Sequence, residues 1–177
     1  MVALQGTGVS PGIASGKLFY YKRDISDIPS YTVSDTENEL NRWQKAVKKA
    51  YDELDGLAQT AHEEAGYEAA MLFETHQLML EDLDFADRIT DLILNRKRNA
   101  EAAITIAADE FSQMFAAMDD EYMKARSVDV VDISKRLVSI LTNSGPQSVS
   151  TTEPVIIAAD DLTPSETVQL DKNMIFG

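Results

Sequence analysis

The feature that most constrains the fold is the stretch from Ser34 to about Leu141, in which apolar side chains recur at steps of three and four residues. One apolar stripe opens this stretch and consists of Leu40, Trp43, Val47, Tyr51, Leu54, Leu57 and Ala61. Such a stripe is typical of a long helix that packs one face against a core. The sequence SDTE at Ser34–Glu37 predicts a capping box at its start, with Ser34 as the cap. Gly66 interrupts the pattern.

Four further helices are predicted from the same periodicity. A second stripe runs from Ala69 to Leu80, a third helix begins near Phe85 and ends at the basic stretch NRKRN, a fourth begins at Asn99, and a fifth begins at about Asp119. The fifth helix is predicted to end in the sequence TNSGPQS, with Gly145 near the C′ position and Pro146 beyond it. The connections are short, so we expect antiparallel neighbours in a bundle.

Sequence typical of strands lies on both sides of this helical block. Gly16–Tyr21, Pro154–Ala159 and Asn173–Phe176 are rich in apolar and β-branched or aromatic residues and predict strands. Between the last two, TPSE at Thr163–Glu166 predicts a second capping box, with Pro164 at the first helical position.

The fold class that follows is mostly α with an α+β character, in which an antiparallel helical bundle is inserted into an incomplete α/β domain. The bundle is predicted to span residues 32–147, and the α/β part is predicted to consist of residues 1–31 and 148–177. Two or three strands and one helical turn make a poor core for an independent domain. The sequence therefore indicates a fragment of a larger protein.

Composition narrows the class of protein further. The net charge of −14 argues against nucleic acid and anionic membranes as partners, and it suits a basic protein partner. The chain has no cysteine, which excludes disulfides and thiolate zinc sites and fits a reducing compartment. Because the first residues do not resemble a secretory signal, a cytoplasmic location is expected.

The residues by themselves do not predict a self-contained active site. His62 lies in a polar stretch and is expected on the surface, while His76 is expected to anchor a helix–helix or protein–protein contact. Neither has the spacing of a metal site. The glycines of GTGVSPG lack the lysine of a phosphate-binding loop. The many carboxylates are expected to be mostly helical and exposed.

Three stretches together resemble enzyme I of the bacterial phosphotransferase system, the phosphoenolpyruvate–protein phosphotransferase. They are GVSPGIASGK near the start, FETHQLMLEDLDF with DDEYMKARSVDVVDISKRL in the bundle, and AADDLTPSETVQL near the end. Their order and spacing are similar to the amino-terminal half of that family over nearly the whole chain.

The resemblance implies a fold and a function. A helical domain would dock the small phosphocarrier HPr, and an α/β domain would carry a histidine that accepts phosphate from phosphoenolpyruvate and passes it to HPr during sugar transport. That histidine would lie just beyond Gly177, so the chain alone is expected to be inactive as this transferase. Phosphoenolpyruvate, Mg²⁺ and the homodimer contact would belong to a carboxy-terminal barrel.

The resemblance also implies which residues face HPr. These residues are Glu68, His76, Met79, Asp82, Asp84, Phe85, Phe115, Met123 and Arg126. They would form an apolar patch ringed by acids, which suits a basic carrier. Thr167 corresponds to a position that hydrogen-bonds the unphosphorylated histidine. From the residues alone, Met79, Phe85 and Phe115 are better explained as bundle core and the acids as ordinary helix surface.

Four positions depart from the family pattern, and two other kinds of protein remain possible. Tyr67 stands where an acid is common, Glu110 where glycine is frequent, Ala125 in place of an acid and Val131 in place of an arginine. The first alternative is a non-catalytic helical adaptor that binds another protein. The second is part of a fused or nitrogen-related paralogue of enzyme I.

Overall fold

The computed structural model describes residues 7–8, 12–21, 28–144, 153–159, 162, 164–168, 170 and 173–175. In chain order the elements are β1 (Lys17–Tyr21), α1 (Thr36–Ala65), α2 (Tyr67–Leu80), α3 (Leu83–Leu94), α4 (Ala100–Ala116), α5 (Glu121–Thr142), β2 (Val155–Ala159) and α6 (Pro164–Val168). The five predicted bundle helices and the first two predicted strands are therefore confirmed. Parts of three predictions fall outside the described residues. They are the second capping box at Thr163, the end of the fifth helix at Gly145 and the last strand at Phe176.

Helix α1 begins one residue later than the capping box predicts. The cap is Asp35, whose carboxylate accepts a hydrogen bond from the backbone N–H of Asn38 at 3.0 Å. The prediction of Ser34 as the cap is wrong. A carboxylate at this position also interacts favourably with the positive end of the helix dipole, which explains why Asp35 takes the role. Gly66 ends α1 as expected, at a φ of 88° that disfavours other residues.

Replacing Asp35 with alanine is expected to lower the free energy of unfolding by about 1 kcal/mol, because the N–H of Asn38 loses its acceptor. Urea denaturation at neutral pH would measure the change. Ser34→Ala is the matched control and is expected to shift the midpoint very little. A larger loss for Ser34→Ala than for Asp35→Ala would restore Ser34 as the cap.

The other helix ends show why short polar residues stand there. Asp82 caps α3 by accepting from Phe85 N–H at 2.9 Å, and Asp120 caps α5 by accepting from Met123 N–H at 3.0 Å. At the end of α5, Asn143 adopts the left-handed conformation expected of a terminating residue. The sequence prediction gave that position to Gly145.

The five long helices share one apolar core. Helix α1 packs along α2, and α4 packs along α5, while α5 and α3 also contact α1. The largest side chains enclosed are Phe73, Leu54, Ile89, Ile93, Ile104, Ile133 and Leu137. Small alanines such as Ala50, Ala103 and Ala107 are also buried, which lets the helix axes approach closely. Val168 of α6 packs against the edge of this core.

The two strands on either side of the bundle pair with each other. Strands β1 and β2 are parallel, with Lys17 opposite Val155 and Tyr21 opposite Ala159. On the other side of β2, Val155 forms a parallel bridge with Ile175 and donates its N–H to Met174 C=O at 2.9 Å. The helical block is therefore inserted between adjacent strands of one sheet. The predicted strand at Asn173–Phe176 is represented in the described residues by this single bridge.

The segment that enters the bundle is fixed to the start of α4. Asn99 is buried, accepts from Tyr31 N–H at 3.0 Å and donates to Pro29 C=O at 2.8 Å. Val33 N–H donates to Lys97 C=O at 2.8 Å. These bonds satisfy backbone groups that would otherwise be buried without partners. They also set where the chain passes from sheet to bundle.

A buried ionic network lies beside this entry segment. Arg42 donates to both oxygens of Glu101, to Glu39 at 3.0 Å and to Leu141 C=O at 2.9 Å. Glu39 in turn accepts from Ala100 N–H at 2.6 Å. Burial disfavours the ionised form of Glu101, but hydrogen bonds from Arg42 and Asn99 hold its pKa below the usual value. The network joins α1, α4 and α5 at one end of the bundle.

Candidate functional site

The residues predicted to face a partner lie around one part of the bundle. Helix α5 contacts both α2 and α4, and α4 also contacts α3. Helix α3 follows α2 after a two-residue turn. We call the outer faces of α2, the start of α3, the end of α4 and the start of α5 the candidate surface. It contains Glu68, Met71, Leu78, Met79, Asp82, Leu83, Asp84, Met114, Phe115, Met123 and Arg126.

Arg126 holds the contact between α2 and α5. Its Nη1 lies 3.9 Å from Met79 Sδ and 3.7 Å from Asp129 Oδ2. Its guanidinium carbon lies 4.7 Å from the centre of the Tyr122 ring, and Nη2 donates to the Tyr122 hydroxyl. These contacts combine an ion pair with a cation–π interaction, so they restrict the guanidinium to a narrow range of positions.

His76 lies beneath this contact. It is 2% exposed, and its Nε2 lies 3.4 Å from Asp129 Oδ1. Phe73 approaches the imidazole edge-on, with ring centres 6.4 Å apart. Asp129 therefore lies between His76 of α2 and Arg126 of its own helix. This geometry makes His76 an internal anchor of the two helices, which is one of the two kinds of contact that the sequence leaves open, and its 2% exposure leaves little of it for direct contact with a partner.

A row of three phenylalanines connects α3 to α4. Phe85 and Phe111 pack edge-to-face with ring centres 5.4 Å apart, and Phe111 and Phe115 follow at 6.4 Å. Phe85 is 4% exposed, whereas Phe111 and Phe115 are half-buried. The row thus begins in the core at Phe85 and reaches the candidate surface at Phe115.

The remaining predicted residues differ in exposure. Glu68, Asp82 and Asp84 are exposed, and Met79, Met123 and Arg126 are half-buried. Phe85 and His76 are buried, so the structure assigns them to the support of the surface. Thr167 is exposed on α6. Seven of the nine residues, Phe115 among them, can therefore present atoms to a partner without a change in the bundle.

The candidate surface is strongly acidic. Residues 50–87 contain no lysine or arginine, and neither do residues 99–123. Within the first of these stretches, α2 and the start of α3 carry Glu68, Glu74, Glu81, Asp82, Asp84 and Asp87. Because these carboxylates surround apolar side chains, the surface matches a partner that has a positive rim around an apolar patch.

Sequence reasoning missed several apolar members of the candidate surface. Met71 is 46% exposed and Met114 is 47% exposed, and Leu78 and Leu83 are more exposed still. The signal in the sequence was an excess of apolar residues in α2, which is too uniformly apolar for one buried stripe. Five of the seven methionines, namely Met71, Met79, Met114, Met118 and Met123, lie in α2 or between the end of α4 and the start of α5. Methionine adapts to irregular partners and is common at binding surfaces.

One departure from the family pattern has a structural role. Glu110 accepts two hydrogen bonds from Arg88, both at 2.6 Å, and this bidentate pair joins α4 to α3 beside the phenylalanine row. Hydrogen bonds from Arg88 hold the pKa of Glu110 below its usual value. The other departures, Tyr67 and Ala125, are exposed, and Val131 is half-buried.

In the part of the chain that the structure describes, no group of three or more His, Asp or Glu side chains is arranged to hold a metal ion. Nor does any described helix combine the length and the apolar character that crossing a bilayer requires. A cofactor for the complete protein stays an expectation from the resemblance.

Comparison with known proteins identifies the relatives of this chain. Residues 5–126 match the family model described as PEP-utilising enzyme, N-terminal. Among curated relatives, the phosphoenolpyruvate-protein phosphotransferases of Priestia megaterium and Geobacillus stearothermophilus are 37% and 38% identical over 177 residues, or 98% of the chain. The chain spans only about 30% of the length of these relatives.

Solved structures show the same fold. An NMR solution structure of Enzyme I (nEIt) superimposes with a TM-score of 0.78 at 29% identity, covering 94% of this chain and 68% of that one. The N-terminal domain of Enzyme 1 - Nitrogen gives a TM-score of 0.69 at 22% identity, covering 94% and 69%. The second likeness concerns the fold alone. Together with the family match, these structures confirm the resemblance to enzyme I and the helical-bundle fold class.

Proposed function

Because the chain belongs to the amino-terminal family of phosphoenolpyruvate-utilising enzymes, we propose that it docks the phosphocarrier HPr for phosphoryl transfer in phosphotransferase-system sugar uptake. The observation that carries this proposal is the candidate surface, where half-buried Met79, Phe115 and Met123 lie among exposed carboxylates. A carrier with an apolar patch and a basic rim would bury those side chains and pair with those acids.

The charge of the chain supports a steered encounter. With a net charge of −14 and two long stretches without cations, the field around the candidate surface attracts a basic carrier. Arg126 stands within this acidic area as a restrained cation. Such a residue can recognise one acceptor group on the carrier and so fix its orientation.

We assign a separate function to each part of the complete enzyme. Residues 32–147 dock HPr, residues 1–31 and 148–177 contribute to the phosphohistidine domain, and the remaining length seen in relatives binds phosphoenolpyruvate and Mg²⁺ and forms the dimer. The phospho-accepting role is assigned to neither histidine of this chain. In support, His76 is enclosed against Asp129, and His62 is an exposed residue in the last turn of α1. Thr167 keeps its proposed hydrogen bond to the accepting histidine.

The proposal predicts that HPr binds this chain without phosphoenolpyruvate or Mg²⁺. Titration of HPr into the ¹⁵N-labelled chain is expected to shift amide signals of α2, the start of α3 and the start of α5. Calorimetry would give the affinity, which should weaken as salt is added because the encounter is electrostatic. If neither heat nor shifts appear, HPr docking is wrong, and the helical adaptor becomes the better interpretation.

A charge-reversal pair makes this prediction specific to the candidate surface. Asp84 and Glu37 are both exposed acids in the first turn of a helix, so replacing each with lysine costs a similar helix-dipole interaction. Glu37 lies shortly after Val33, which bonds to Lys97 just beyond the end of α3, whereas Asp84 lies at the start of α3. The two acids are therefore near opposite ends of this helix. At low salt, Asp84→Lys is expected to weaken HPr binding about fivefold to tenfold, and Glu37→Lys much less. Equal effects would show that only net charge matters.

A further inference from the structure

The contact between Met79 and Arg126 joins an oxidisable group to a binding group. Met79 is half-buried in the candidate surface, and its sulfur lies 3.9 Å from Arg126 Nη1. A thioether is a weak acceptor, so it holds the guanidinium only loosely. The stronger contacts of Arg126, with Asp129 and Tyr122, leave 19% of its side chain exposed.

The chain offers thioethers as its only sulfur groups. It has seven methionines and no cysteine, so no thiol competes for an oxidant. Met79 differs from the exposed Met71 and Met114 because a cation lies against its sulfur. Oxidation at the exposed positions makes part of the surface polar, whereas oxidation at Met79 also changes what Arg126 binds.

The geometry points to Met79 as a reversible oxidation site that switches carrier docking off, an inference that rests on the proposed function. The oxidant is a hydroperoxide. The Met79 sulfur attacks the outer peroxide oxygen, the O–O bond breaks, and the sulfur–oxygen bond forms. Sulfur is oxidised by two electrons, and the peroxide is reduced, with proton transfer, to water or an alcohol. Methionine sulfoxide reductases reverse the change.

The sulfoxide replaces a weak acceptor with a strong one in the same place. Its oxygen is added to a sulfur that Arg126 already contacts, so it comes within reach of a charge-assisted hydrogen bond from Nη1. Arg126 is then held against α2 and is withdrawn from the carrier. The added oxygen also makes part of the apolar patch polar. Both effects weaken docking while the bundle stays folded.

The test compares HPr binding before and after treatment of the folded chain with hydrogen peroxide, with each sulfoxide located by mass spectrometry. The untreated chain should bind HPr, and the chain oxidised at Met79 should bind at least about tenfold more weakly, the equivalent of losing one hydrogen bond to a charged group. Methionine sulfoxide reductase should restore the affinity. Bound HPr should also slow oxidation of Met79, because it covers the sulfur.

Two variants separate Met79 from the other methionines. Met79→Leu keeps a similar volume. With each variant compared with its own untreated affinity, peroxide should weaken HPr binding by Met79→Leu much less than binding by Met71→Leu, which should lose affinity as the parent does. Unchanged affinity with Met79 oxidised would overturn the inference. So would sulfoxides that spare Met79, an equal loss in oxidised Met79→Leu, or a loss of helical circular dichroism. Failure of the untreated chain to bind HPr would instead contradict the proposed function.

Discussion

Replacing Arg42 with methionine is expected to lower the free energy of unfolding by about 3 kcal/mol at neutral pH. The side chain of Glu101 is 2% exposed and that of Glu39 is 9% exposed, and both depend on Arg42 for their positive partner. Breaking one side of a buried ion pair costs about 3–5 kcal/mol because the remaining charge has no compensation. The lower end applies, since about a third of the Arg42 side chain is in contact with solvent.

The pH dependence identifies the cause of this loss. In the folded parent chain the pKa of Glu101 is lowered. The ionised carboxylate therefore contributes its full stabilisation above the pKa of the unfolded chain, about 4.3, and this stabilisation is lost as the pH falls through the pKa of the folded chain. Without Arg42, burial raises the pKa of Glu101. Protonation then removes the uncompensated buried charge, so the variant loses less of its unfolding free energy. Urea denaturation at pH 7 and pH 4 should therefore show a smaller difference between the two proteins at pH 4.

The matched control is Arg88→Met, which removes a bidentate arginine from an exposed pair with Glu110. Solvent screens this pair, so the urea midpoint is expected to change little at either pH. An equal loss for Arg88→Met would mean that arginine packing, not burial of the paired carboxylates, determines the effect. A difference for Arg42→Met that does not depend on pH would also contradict the explanation.

The sequence predicted the fold well where the signal was local. Three- and four-residue apolar steps located all five bundle helices, and short β-rich runs located β1 and β2. The Arg42 network was not predicted, because Glu39 and Glu101 are separated along the chain and look like ordinary helix acids. Their burial arises only when α1, α4 and α5 meet. The cap of α1 was misplaced because Ser34 and Asp35 are adjacent and both are good caps.

The candidate site was predicted in composition more than in geometry. The excess of acids and the apolar α2 are visible in the sequence, and the resemblance selected residues that the structure brings to one side of the bundle. Burial of His76 and Phe85 could not be read from the sequence, because periodicity identifies which face of a helix is apolar but not which apolar residues another helix covers. The placement of Arg126 against Met79 likewise depends on how α2 and α5 pack.

Phe85→Ala and Phe115→Ala are expected to separate stability from docking. Phe85 is 4% exposed and packs edge-on against Phe111, so its removal leaves a cavity and should cost about 3–5 kcal/mol of unfolding free energy. Phe115 is half-buried at the surface end of the same row, and its removal should cost about 1 kcal/mol. Thermal and urea denaturation would measure both losses.

HPr binding should follow the opposite order. At a temperature where circular dichroism shows both variants folded, Phe115→Ala is expected to weaken HPr binding about tenfold, because an aromatic side chain at the centre of an interface contributes strongly to affinity. Phe85→Ala should bind nearly as the parent does, since the buried ring only supports the row. Loss of binding by a folded Phe85→Ala chain would mean that the ring, or the position of Phe111 above it, forms part of the contact. Unchanged binding by Phe115→Ala would move the centre of the contact away from the end of α4, toward Met79 and Arg126.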